Sequence, residues 1–278
     1  MQNTILTEKL WDKTLLHQLL GDLGAAIASA TLVTPAVTII DRALVEKSLL
    51  NRPLIHGLRK HSVAALKSPS RFISQVPFRI IWALYAATFT VANGTDSICN
   101  RLEASATGLI TFATTTLVNV PLGVWKDIRF AQIFGVNTKP DGAETLRPII
   151  VQSRGATKAA AAIFLIRDGV TIFGSFTLAP RLSSMIPDDY TASHHQAKPV
   201  ISQLTVPVLS QLVATPLHLL GLDLYTRQGV PFVDRMVQSQ RYLPSATVVR
   251  CIRIIPAFGF GCLANMELRS VFHRKLNV

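Results

Sequence analysis

The sequence predicts an all-α protein: a six-span transmembrane helix bundle built from three two-helix repeats with pseudo-threefold symmetry. Three observations predict it. Six stretches are long and apolar enough, or nearly so, to cross a bilayer. The surplus of Lys and Arg falls in alternate connections. Prolines and arginines recur with nearly one period.

Composition sets the frame. Of 278 residues, 49% are hydrophobic, and the mean hydropathy is +0.35. Charged residues make up 16%, against about 25% in ordinary soluble domains. Disorder needs the opposite balance. The few charges are lopsided, with a net of +12. On so apolar a chain this surplus points to a membrane protein, because nucleic-acid domains do not carry long uncharged runs. A lipid bilayer is therefore an expected partner, and nucleic acid is not. Cys99, Cys251 and Cys262 are scattered, with no C-x-x-C pair. Neither a disulfide framework, a metal centre nor a cofactor is expected.

Three runs carry no Lys, Arg, Asp or Glu: residues 23–40, 104–125 and 199–222, the last with His218 as its ionisable group. A helix needs about 20 apolar residues to cross the hydrocarbon. Three further spans are expected over 76–95 with Arg79, 159–180 with Arg167 and Asp168, and 250–266 with Arg253. The connections 42–75, 126–158 and 223–250 hold 17 Lys and Arg against 6 Asp and Glu. The termini and the other connections hold 8 of each. Such asymmetry orients a multi-span protein, and it invites anionic lipid to the basic loops. Within those loops, residues 53–66, 143–153 and 231–242 mix apolar and basic side chains, as surface helices do. The opposite connections, Asn93-Gly94-Thr95-Asp96 and Pro187-Asp188-Asp189, read as plain loops.

The odd spans share a frame: Pro35, Pro121 and Pro216, followed by Asp41, Asp127 and Asp223, then by Arg42, Arg129 and Arg227. The even spans share an arginine: Arg79, Arg167 and Arg253. The expected organisation is an N-terminal segment over 1–19, repeat 1 over 20–103, repeat 2 over 104–192, and repeat 3 with the tail over 193–278. The prolines are expected to kink their helices.

The pattern resembles the mitochondrial carrier family. The sixth span carries the nearest local match, Arg250-Cys251-Ile252-Arg253-Ile254-Ile255-Pro256, with Glu267 beyond it. Two residues after each signature proline that family has an acid; here stand Val37, Gly123 and His218. Five residues after it the family has a base; here stand Ile40, Lys126 and Gly221. Asp41, Asp127 and Asp223 are offered as gating acids in a shifted frame. The resemblance implies a mitochondrial membrane, the inner rather than the outer, and alternating-access transport of a small, anionic solute. Its divergent members imply an alternative: a non-transporting scaffold such as an outer-membrane insertase, fusion or adaptor protein.

Arginine inside a span is costly unless it faces a cavity or a partner. Arg79, Arg167, Arg253 and Arg250 are thus the candidate substrate-binding residues, with guanidinium groups suited to a carboxylate or phosphate. His194-His195 lacks a third ligand nearby and reads as a solvated loop. No phosphate loop of the G-x-x-x-x-G-K-[ST] type and no G-x-S-x-G elbow occurs, so an enzyme is not expected.

Overall fold

A computed structural model describes residues 13–50, 52–134, 154–173, 178–185, 197–227 and 229–276. Among the described residues all regular structure is helical. The helices are α1 Lys13–Leu50, α2 Leu54–Lys67, α3 Pro69–Ile73, α4 Val76–Arg101, α5 Thr107–Phe134, α6 Arg154–Phe173, α7 Ala179–Met185, α8 Ala197–Thr226, α9 Phe232–Ile254 and α10 Gly261–Lys275. A π-helical stretch, Ile255–Phe260, joins the last two. Pro256 lies in that stretch and cannot donate a backbone hydrogen bond.

Three segments are long and apolar enough to cross a membrane: Lys13–Lys47, Thr107–Phe134 and Val208–Thr226. They contain the three charge-free runs wholly or in large part. Pro35 and Pro121 lie inside continuous helices, and Pro216 lies within α8, so none of them ends its span. The other expected spans have different bounds. The helix expected over 76–95 continues to Arg101, and Pro77 stands in its first turn, where a missing N–H costs nothing. The described part of the helix expected over 159–180 ends at Phe173, and Pro180 belongs to α7. The surface helix expected over 231–242 and the span expected from 250 are one helix, because Pro244 does not break the backbone ladder there. Asn93-Gly94-Thr95-Asp96 is not a loop but helix, held by side-chain hydrogen bonds described below. The chain turns instead just after Arg101, where Glu103 adopts a left-handed φ of 54°. The surface helix expected over 53–66 is present as α2. Residues 143–153, 187–189 and the His194-His195 pair lie outside the described residues.

The chain divides into two compact units. One comprises Met1–Thr38, Ser70–Gly123 and Ala257–Val278; the other comprises Ile39–Pro69 and Val124–Pro256. Residues of each expected repeat enter both.

In the first unit Ala26 and Ala30 of α1 receive Phe89 of α4, with Trp82, Tyr85 and Cys262 packed around them. Alanine at this spacing leaves room on one helix face for the ring. Trp82 Nε1 donates to Thr31 Oγ1 at 3.0 Å, and Asn119 Nδ2 to Thr88 Oγ1 at 2.9 Å.

In the second unit α8 packs against α6, α7 and α9. Phe164 and Leu222 are buried with Val124, Ala131, Ala160 and Tyr225. Leu44 and Leu219 are buried with Tyr242, Ala246 and Val249. Helix α2 lies close to α1 because Gly57 has no side chain: a Cβ there would meet the Ala43 Cα at 3.2 Å. On the same buried face, His61 Nε2 and Glu46 Oε1 are 3.0 Å apart. Burial and the charge of Arg42 hold the His61 imidazole below its usual pKa, against the pull of Glu46.

Two predictions follow from this packing. A Cβ at Gly221 would lie 2.5 Å from Phe164 Cε1, on a fully buried, rigid ring. G221A is expected to cost about 1–3 kcal/mol, read as a lower thermal midpoint in detergent. Since the folded chain binds the His61 proton more weakly than the unfolded one, this stabilisation is complete above the unfolded pKa of about 6.5. It is lost as pH falls below that value. H61Q should flatten the slope of thermal midpoint against pH between about 7 and 5.

Candidate functional site

The second unit contains a buried cluster of charges. Asp41 comes from α1, Lys126 and Asp127 from α5, Arg167 and Asp168 from α6, His218 from α8, and Arg250 and Arg253 from α9. An isolated charge in an apolar interior costs several kcal/mol, so such groups persist only when paired and hydrogen-bonded.

Most of these pairs are close. Lys126 Nζ lies 3.0 Å from Asp41 Oδ2 and 2.8 Å from Asp127 Oδ1, bridging two carboxylates. Arg253 Nη1 donates to both Asp41 oxygens, at 2.9 and 3.0 Å. Arg167 Nη1 donates to Asp127 Oδ2. Its Nε and Nη2 both donate to Asp168 Oδ1, at 2.8 and 2.6 Å. Arg167 Nη1 also reaches His218 Nδ1 at 2.9 Å, a contact that requires this nitrogen to carry no proton. The Phe164 ring lies 5.1 Å below the Arg167 guanidinium, within cation–π range.

Arg250 is arranged differently. It is 5% exposed. Its Nε donates to Gln211 Oε1 at 3.1 Å. Among the described residues no carboxylate pairs with it.

The structure thus distributes the expected site residues unequally. Asp41, Asp127, Arg167, Arg250 and Arg253 come together. Asp223 forms a separate group, with Arg235 Nη1 at 2.7 Å from its Oδ2 and with Arg227 one turn along its own helix. Arg235 also caps the end of α8, donating to the carbonyls of Asp223 and Arg227. Arg42 stacks 5.7 Å over the Phe134 ring, and Arg129 donates to Gln132. Arg79 is exposed and belongs to the first unit. Of the even-span arginines, Arg167 and Arg253 are bound to carboxylates of the buried cluster. Glu267 is exposed. Among the described residues no group of His, Cys, Asp and Glu is placed to hold a metal ion.

A second buried polar cluster, with no counterpart among the sequence-predicted site residues, lies within the first unit. Asp22, 1% exposed, accepts from Ser97 Oγ at 2.5 Å, Arg269 Nε at 2.7 Å and His273 Nε2 at 2.8 Å. Arg269 also donates to Asp96 at 2.8 Å. Asn93 and Asn265 pair through their amides at 3.0 and 2.7 Å. A search for charge-free runs discards Asp22, since it stands immediately before the first run. The available signal was an acid at one end of the first span, with Arg269 and His273 beyond the last.

The family model described as "Probable citrulline exporter" matches residues 25–273. No curated protein and no solved structure matches the chain. The chain belongs to the probable citrulline exporter family and is a multi-pass membrane protein of transporter type. It is not a member of the mitochondrial carrier family, whose model does not match, and the mitochondrial location implied by that resemblance loses its ground. The departure is physical as well. The acids of the buried cluster follow Pro35 and Pro121 by six residues, not two. They therefore face different neighbours from the acids of the carrier signature.

Breaking one buried pair leaves its partner uncompensated. D127N is expected to cost about 3–5 kcal/mol, and R167Q a similar amount. The double change D127N/R167Q should cost clearly less than the sum, since neither charge is then stranded. Thermal unfolding of the four proteins in detergent measures the cycle.

Proposed function

We propose that this protein exports a small zwitterionic amino acid, citrulline being the first candidate, across a limiting membrane of the cell by alternating access. The observation that carries the reading is the buried charge cluster, placed in an apolar helical protein of the exporter family. Charges inside a membrane protein usually mark the path of a solute or the element that opens it.

Asp41, Asp127, Arg167, Arg253 and Lys126 form a lock. Their contacts join α1 to α5 and α9, and α5 to α6. They must exchange partners or take up water when the site opens. The lock explains why so many ions are tolerated, because opposite charges released together remain easier to hydrate than a single buried ion. Pro35, Pro121 and Pro216 each remove one backbone hydrogen bond inside a helix, and the resulting local softness suits helices that bend between two states. Three more crossings complete six. They use α4 with 26 residues, α6 with 20, and the continuous helical stretch from Phe232 to Lys275. At 1.5 Å per residue each exceeds or meets about 30 Å of hydrocarbon. The three-repeat organisation is kept as part of this proposal, supported by the recurring Pro35, Pro121 and Pro216.

The non-transporting scaffold reading has less support, since a scaffold gives no reason to bury Asp41, Lys126, Asp127 and Arg167 in mutual contact. Purified protein in liposomes preloaded with radiolabelled citrulline should release it saturably. R253Q and D41N should each lower the rate by about tenfold or more, given that a charge-assisted contact is worth about 1.5–3 kcal/mol. Release no faster than from empty liposomes, across amino acids, would remove the exporter reading.

A further inference from the structure

We infer that Arg250, together with Gln211, is the anchor for the carboxylate of the exported solute. The identity of that solute rests on the exporter reading, while the anion site itself does not.

The inference comes from a count of charge and of hydrogen bonds. The cluster holds four cations, Lys126, Arg167, Arg250 and Arg253, against three carboxylates, Asp41, Asp127 and Asp168. His218 adds no charge while its Nδ1 accepts from Arg167. One positive charge is left over. The surplus is localised, because three of the cations have carboxylate partners within hydrogen-bond distance and Arg250 has none. Arg250 precedes Arg253 by three residues on α9, so the two arginines are neighbours on one face of that helix.

A guanidinium has five N–H donors. Arg250 uses its Nε on the Gln211 side-chain oxygen. Its two terminal nitrogens have no hydrogen-bond partner among the described residues, although the side chain is buried. A buried, uncompensated arginine is among the most expensive arrangements a fold can hold. It is stable once an anion arrives, and the free edge of a guanidinium matches the two oxygens of a carboxylate. Gln211 fixes the other edge of the group, so the fork is already oriented. Arg167 and Arg253 do not offer this fork, because Asp127, Asp168 and Asp41 occupy them. A zwitterion that delivers its carboxylate here supplies Arg250 with the local counter-ion it lacks, while the α-ammonium of the solute keeps the net charge of the cluster as it was. A cationic amino acid would still bring a second positive charge close to Arg253 and Arg167, so the arrangement favours neutral side chains such as a ureido group over basic ones.

The test uses the full chain in detergent, with thermal stabilisation as the readout and four probes: citrulline, its carboxamide, succinate and inorganic phosphate. The wild type should be stabilised by citrulline and not by the carboxamide. R250Q should need about tenfold or more citrulline for half the effect, and R250K should lie between. R250K keeps the charge and guards against a folding defect in R250Q, and the comparison of citrulline with its carboxamide on the wild type is independent of any variant. If citrulline and its carboxamide stabilise equally, or R250Q responds as the wild type does, the carboxylate anchor is wrong and the exporter reading stands. If succinate or phosphate stabilises the wild type but not R250Q, while citrulline has no effect, the anion site stands and the citrulline assignment falls. If none of the four probes stabilises the wild type, both fall.

Discussion

The contact between Arg167 and Asp127 governs much of the second unit. Each ion would be intolerable alone in that interior, so each dictates where the other's helix must run. Asp127 also shares Lys126 with Asp41, and Asp41 in turn takes Arg253. A single requirement, that buried charge be compensated, thereby fixes the positions of α1, α5, α6 and α9 relative to one another. Apolar packing of Phe164 and Leu222 adds density but little direction, since dispersion and hydrophobic contacts do not select one partner.

The two polar clusters differ in a way that bears on function. Around Asp22, donors and acceptors are matched, with Ser97, Arg269 and His273 converging on one carboxylate and the Asn93–Asn265 amides pairing with each other. Such a cluster holds its helices together and has no capacity left for a ligand. Around Asp41 and Asp127 the matching is incomplete, and the shortfall is concentrated on Arg250. Incomplete compensation destabilises a resting fold. It is useful in a protein whose solute brings a carboxylate to the unpaired guanidinium and leaves with it.

Much of this was legible in the sequence, and the limits have identifiable causes. The apolar runs around Pro35, Pro121 and Pro216 announce helices of membrane length, because hydropathy and helix length are local properties. The basic stretch around Arg59 announces a surface helix for the same reason. Asn93-Gly94-Thr95-Asp96 misleads, since its low helix propensity is overridden by partners more than 170 positions away, Asn265 and Arg269. The recurrence of proline and arginine resembles a carrier signature, but recurrence alone does not define a family. Val37, Gly123 and His218 in the acid positions marked the difference. The pairing of Arg253 with Asp41, across 212 positions, was beyond any spacing argument. Arginines in spans can be recognised one by one, but which of them is already neutralised is a property of the folded chain.

A lock built from the buried charges must rearrange when the solute binds. Ile133 of α5 and Ile252 of α9 are both exposed and both belong to the second unit. Spin labels at these positions, in a background with Cys99, Cys251 and Cys262 replaced, report the separation of the two helices without touching an ion. One distance is expected in liposomes without solute, and a second population on saturating citrulline. An R250Q background should suppress the second population. A single distance, unchanged by citrulline in protein that demonstrably releases it, would contradict the claim that these charges form the moving lock.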